Sequence, residues 1–147
     1  MDHRFQDKKY RLADFHKEVA VRCPSCHRKA IATVDYEQKK AKMICSYCGH
    51  LETKETLLYH LGMLDYFETS ANVYFDAELW YLYPFKDDYF FAYNQSHLIY
   101  LEQYIGSKLR EHKNRTHFTL LEKLPKFYHE AKNRESLLKL IEKLKRK

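Results

Sequence analysis

Glycine and proline are scarce in this chain, with three of each among 147 residues. That scarcity argues against long flexible linkers. The first nine residues, from Met1 to Lys9, lack the apolar core of a secretory signal. No run of about 18 apolar residues occurs, so a membrane-spanning helix is not expected. There is no H-E-x-x-H pattern, and Gly49, Gly62 and Gly106 stand too far apart to build a phosphate-cradling loop. No cysteine falls outside two C-x-x-C pairs, which leaves none to act as a lone nucleophile. Asp87, Asp88 and His97 are the candidates for a hidden acid–base pair, and His97, early in a helix, is read first as a packing or capping residue. A non-catalytic protein is therefore expected, and no small-molecule substrate is inferred.

What is present is concentrated. All four cysteines lie in Cys23-Pro24-Ser25-Cys26 and Cys45-Ser46-Tyr47-Cys48, separated by eighteen residues. Two such pairs read as a four-thiolate zinc site on short strands, a zinc ribbon with one structural Zn²⁺ per chain. Two residues between the cysteines let both sulfurs face one metal while the turn aims backbone N–H groups at them. The residue after each pair needs positive φ, which Gly49 adopts freely and His27 tolerates. His27 and His50 compete poorly as ligands with the cysteines beside them. A deaminase-type site would need H-x-E, as in His16-Lys17-Glu18 or His50-Leu51-Glu52, and a proline before the cysteine pair. Arg22 and Ile44 occupy those proline places. Paired thiols that bind metal imply a reducing compartment, so a cytoplasmic location is expected.

Around the cysteines, Val19–Arg22, Ala30–Tyr36, Lys42–Ile44 and Leu51–Lys54 read as strands. Leu12, Phe15 and Val19 have the spacing of a short docking helix in an N-terminal extension, residues 1–18. Residues 19–55 form the expected ribbon, and 56–147 a second unit. In that unit Glu78–Phe85 and Tyr89–Tyr93 read as an aromatic hairpin closed by Lys86-Asp87-Asp88. Asn94, or Ser96, caps a helix running to about Lys113 with Leu98, Leu101, Ile105 and Leu109 at helical spacing. Thr119 caps a short helix over Leu120, Leu121 and Leu124, and Pro125 opens a new turn. Asn133 caps the last helix, with Leu137, Leu140, Ile141 and Leu144 inward. The expected class is α+β: an N-terminal zinc ribbon, then an aromatic hairpin packed on two to three C-terminal helices.

Net charge is +6, and a basic ribbon and basic tail flank an acidic, aromatic middle. Arg28, Lys29, Lys39, Lys40 and Lys42 are the candidate nucleic-acid contacts, with Tyr36 and Tyr47 as stacking rings. Trp80, Tyr83, Phe85 and Phe91 are the candidate protein-interface residues. The expected partner is nucleic acid, as in a transcription-type assembly, or an acidic protein. The alternative is an adaptor or immunity-like protein that uses the aromatic hairpin. An enzyme with an unrecognised pocket is the third reading.

Further motifs lie outside the cysteines: Leu79-Trp80, Ala92-Tyr93-Asn94 with His97-Leu98, Lys108-Leu109-Arg110-Glu111, Leu124-Pro125, and Ala131-Lys132-Asn133-Arg134. Together they resemble a group of small bacterial proteins containing a transcription-factor-IIB-type zinc ribbon, over roughly residues 20–145. The resemblance implies a cytosolic protein with one ribbon, an aromatic hairpin and C-terminal helices; it implies no established activity. Relatives often place Cys-Cys-Gly where this chain has Pro84-Phe85-Lys86-Asp87-Asp88, so no second metal or redox role is expected at that hairpin.

Overall fold

The computed structural model describes residues 4–6, 11–107, 109–111 and 124–147. Its strands, in chain order, are β1 (Arg4–Gln6), β2 (Glu18–Arg22), β3 (Lys29–Asp35), β4 (Lys40–Ile44), β5 (Leu51–Glu55), β6 (Leu57–His60), β7 (Met63–Tyr66), β8 (Tyr81–Phe85), β9 (Asp88–Ala92) and β10 (Leu109–Glu111). The helices are α1 (Gln95–Gly106) and α2 (Arg134–Lys145). The expected α+β class holds. By contacts the chain divides into a strand unit, Phe15–Asn94, and a helical unit, Met1–Asp14 with Gln95–Lys147. The sequence suggests a boundary between 55 and 56. In the structure the aromatic hairpin instead shares a unit with the cysteine-bearing strands.

The strand unit is built on an antiparallel sheet of order β2-β3-β4-β5. Alternation sets its two faces. In β4, Ala41 and Met43 point inward while Lys40, Lys42 and Ile44 are exposed. In β3, Ala30, Ala32 and Val34 share the inner face. Tyr74 and Ala71 complete this core, with Leu58, Phe75, Leu79 and Tyr93 packed against it.

β2 breaks the alternation, because Val19, Ala20 and Val21 are all buried. The cause lies on its outer edge, where Arg22 N–H donates to the Glu78 carbonyl, Trp80 N–H to Ala20, and Ala20 N–H to Tyr93. An antiparallel bridge joins Val21 to Leu79. The aromatic hairpin β8–β9 is thereby tied to β2 through backbone. Tyr81 pairs with Ala92 and Tyr83 with Phe90 across it. Tyr81, Phe90 and Ala92 are buried.

A second hairpin, β6–β7, is not anticipated by the sequence. Its turn, Leu61-Gly62, has φ of 50° and 78°. His60 pairs with Met63 across it. Two left-handed residues in a two-residue loop are the type I′ arrangement that matches strand twist. Leucine is a poor residue for that conformation, so the usual Asn-Gly or Asp-Gly signal is missing.

In the helical unit, α1 and α2 pack on each other. Leu98, Leu101, Tyr104 and Ile105 of α1 and Leu137, Ile141 and Leu144 of α2 are buried. The Tyr104 hydroxyl lies 2.6 Å from His129 Nδ1. Lys145 Nζ lies 3.2 Å from both carboxylate oxygens of Glu102.

Several expected elements differ. The helix expected to reach Lys113 stops at Gly106, and Leu109–Glu111 instead pairs in parallel with Arg4–Gln6. Long-range pairing overrides the helical spacing of Leu109. The N-terminal helix is a single 3-10 turn, Leu12–Phe15, and Val19 already belongs to a strand. Asn133 sits at φ −96° with helical geometry and makes no side-chain cap; its amide donates to the Phe127 carbonyl. Asn94 precedes α1, and its amide donates to the Glu18 carbonyl at 2.7 Å. The helix expected from Thr119 falls largely outside the described residues. Pro125 does open a turn, the 3-10 segment Lys126–Tyr128.

Candidate metal centre

The two cysteine pairs sit in the β2–β3 and β4–β5 connections, at one end of the sheet. Each pair is folded by the same local bonds. Cys23 N–H donates to Arg28 and His27 N–H to the Cys23 carbonyl; Cys45 N–H donates to His50 and Gly49 N–H to the Cys45 carbonyl. His27 at φ 65° and Gly49 at φ 79° take the left-handed conformation that the spacing demands. Ser25 N–H points at Cys23 Sγ, 3.4 Å away.

These turns bring all four sulfurs within 4.8 Å of one another. Cys23 Sγ lies 3.7 Å from Cys48 Sγ, and Cys26 Sγ 3.5 Å from Cys45 Sγ. The thiols are free, and the spacing is far beyond the roughly 2.05 Å of a disulfide. Four sulfurs about 2.3 Å from one tetrahedral metal would stand about 3.8 Å apart. The two closest pairs match that spacing, and the set could hold a metal ion.

Proton affinities divide the cysteines by position. For Cys45, burial pushes the thiol up, but the backbone N–H groups of Cys48 and Tyr47 and the neighbouring thiols outweigh it, holding it at about 7. Cys23 is also lowered: burial opposes it, and the N–H groups of Cys26 and Ser25 prevail. At Cys26 the Arg28 N–H acts downward, while burial and the sulfurs of Cys45, Cys48 and Cys23 push it up to about 12. Negative charge is therefore favoured at Cys23 and Cys45, where the N–H groups converge.

The five basic residues do not form one patch. Arg28 and Lys29 lie at the cysteine end of the sheet, while Lys39 and Lys40 lie at the far end of β3 and β4. Lys29 is half-buried; its Nζ donates to the Tyr81 hydroxyl at 3.0 Å. Lys40 stands in register between Asp35 and Glu55. Lys39 lies over the Tyr66 ring, 4.4 Å from its centroid, and the Arg28 guanidinium lies 5.1 Å from that of Tyr47. Tyr36 is half-buried and donates to the Thr69 carbonyl. Burial, with the charges of Tyr74 and Glu68, pushes its hydroxyl up to about 12.

Of the four aromatic interface candidates, Trp80, Phe85 and Phe91 are half-buried, and Tyr83 is 39% exposed. A cluster of exposed apolar side chains lies on the other hairpin of the unit. On β6–β7, Leu57 pairs with Tyr66 and Tyr59 with Leu64, so all four share one face. All four are exposed, Tyr59 by 75%, and Leu61 at the tip is 89% exposed. The opposite face carries Leu58, which packs on the core. Only the Leu-Gly dipeptide between two apolar runs could have signalled this hairpin.

A cavity of about 320 Å³ adjoins the first cysteine turn, lined by Pro24, His27, Phe75 and Ala77 among others. Its rim carries the Arg22–Glu78 pair, 3.8 Å apart. No helix among the described residues is long and apolar enough to cross a membrane. Comparison of the chain with protein-family models, curated proteins and solved structures finds no match.

Proposed function

We propose that this chain is a non-catalytic binding module that holds a protein partner on the outer face of β6–β7, with zinc as a structural staple. Four thiolates at tetrahedral spacing favour zinc, one ion per chain, and leave no coordination position for a reacting water. The metal would fasten the two cysteine turns to each other at one end of the sheet. A reduced, cytosolic setting goes with that reading. So does assignment of the cysteine-bearing strands to the transcription-factor-IIB type, which the motif resemblance to small bacterial proteins supports.

The observation that carries the partner is the apolar outer face, Leu57, Tyr59, Leu64 and Tyr66, paired across strands and open to solvent. Exposed apolar patches of this kind mark interaction sites. Charge weighs in the same direction. Phe15–Asn94 carries nine Lys/Arg against eleven Asp/Glu, a net of −2. A surface of that sign repels phosphate backbones. Nucleic acid remains the second reading for the helical unit, whose seventeen Lys/Arg against nine Asp/Glu give +8.

Pull-downs from a bacterial lysate, with and without nuclease, test this directly. The expected result is a partner retained after nuclease and lost with the double variant Tyr59→Ser, Leu64→Ser. Capture that nuclease abolishes, and that the double variant leaves intact, would overturn the proposal in favour of nucleic acid.

A further inference from the structure

The four cysteine residues differ in burial. Cys23 and Cys45 are fully buried, Cys26 is half-buried and Cys48 is exposed. The surroundings of Cys48 are open too, since a Cβ placed on Gly49 would meet nothing within 4 Å. Tyr47, on its other side, is 61% exposed, with the Arg28 guanidinium over its ring. Zinc-bound thiolates remain nucleophiles, and oxidation of cysteine follows thiolate character and exposure. On zinc all four are thiolates, and among the four residues Cys48 alone is exposed.

We propose that Cys48 is a modification site at which a hydroperoxide oxidises the zinc-loaded centre, ending in a Cys23–Cys48 disulfide and loss of the metal. The inference rests on the zinc reading of the proposed function. In the first step the Cys48 sulfur attacks a peroxide oxygen. An S–O bond forms, the O–O bond breaks, and the departing oxygen takes a proton to leave as water or an alcohol. Cys48 becomes a sulfenic acid, and the peroxide has accepted two electrons. In the second step the Cys23 sulfur, 3.7 Å away, attacks the sulfur of the sulfenic acid. The S–S bond forms, the S–O bond breaks, and hydroxide leaves with a proton as water. Two thiolates are consumed, and Cys26 and Cys45 alone hold zinc weakly. Because a disulfide is reducible, thiol and zinc restore the centre.

The test uses the full chain and begins with metal analysis. One zinc per chain is the starting condition, and zero or two would sink the zinc reading itself, independently of the oxidation chemistry. Hydrogen peroxide is then added in the presence of a chromogenic zinc indicator, with dimedone trapping and peptide mapping at intervals. Zinc should appear in step with the loss of two thiols. Dimedone should label Cys48 roughly tenfold faster than Cys45, and mapping should find Cys23 linked to Cys48. Dithiothreitol with added zinc should reverse the release. Labelling that begins at Cys23 or Cys45, a disulfide excluding Cys48, or zinc retained under peroxide that oxidises free thiols would each overturn the proposal.

Discussion

Lys29 Nζ donates to the Tyr81 hydroxyl at 3.0 Å, joining the strand that leaves the first cysteine turn to the strand that opens the aromatic hairpin. The two residues are 52 positions apart in the chain. Tyr81 is buried, so its hydroxyl needs that partner. Tyr81→Phe should lower stability by about 1 kcal/mol, the net value of one such bond. Urea unfolding followed by the fluorescence of Trp80 checks it; an unchanged midpoint would show that the contact is incidental.

The left-handed residues after each cysteine pair make opposite predictions. A Cβ added at Gly49 would meet nothing within 4 Å, so Gly49→Ala acts on backbone alone and should destabilise by roughly 1 kcal/mol. His27→Gly relieves a similar strain but frees the unfolded chain, leaving a change within about 0.5 kcal/mol. Competition with a graded zinc chelator should therefore rank Gly49→Ala well below wild type and His27→Gly close to it.

Within β9 the exposure of adjacent residues sets the next contrast. Phe90 is fully buried and Tyr89 is 57% exposed. Phe90→Ala should lose about 3–5 kcal/mol, and Tyr89→Ala should stay within about 0.5 kcal/mol. Equal effects on thermal unfolding would mean that the hairpin does not pack as described.

In the helical unit, the Lys145–Glu102 pair is half-buried, with the ammonium against both carboxylate oxygens. Lys139–Glu135 lies in open solvent. Glu102→Gln should cost up to about 1 kcal/mol, and Glu135→Gln next to nothing. Helix content followed by circular dichroism through urea unfolding distinguishes them.

Acid should weaken metal binding. The fold holds the Cys45 thiol at about 7, below its ordinary value of 9. Between those values the unfolded chain binds more protons than the folded one, so this contribution is present at high pH and lost as pH falls through about 7. Cys26, pushed up to about 12, must still surrender its proton to the metal. Calorimetric titration of zinc in buffers of different ionisation enthalpy should show proton release that grows as pH falls from 9 to 6, with weaker binding at the acid end. Affinity that rises towards pH 6 would contradict the assignment.

The cysteine cluster was legible because its geometry is local. Two-residue spacers and a residue at positive φ define each turn, and one sheet brings the turns together. Strand alternation in β3 and β4 was legible for the same reason. What the chain concealed was non-local. Leu109 has helical spacing but joins a ladder with residues more than a hundred positions earlier. The Val19-Ala20-Val21 run gives no sign that residues 78–80 and 93 will lie along its edge. The β6–β7 hairpin was missed because its turn uses leucine where asparagine or aspartate would have announced it, and because apolar side chains occupy both faces. The dispersion of Arg28, Lys29, Lys39 and Lys40 could not be read from charge totals, which carry no register.

That covered edge also bears on solubility. Val19-Ala20-Val21 beside Ala30-Ile31-Ala32-Thr33-Val34 is an uncharged, strand-prone pair with the makings of a fibril seed. The backbone of Glu78, Trp80 and Tyr93 occupies the donors and acceptors that another chain would otherwise recruit. At the opposite edge, β5 places Glu52, Lys54 and Glu55 where an incoming strand would have to strip them of water. The sheet is thus closed to elongation by backbone on one flank and by charge on the other. Truncation before residue 78 would remove the first protection and leave a fragment that should form filaments even with its metal in place.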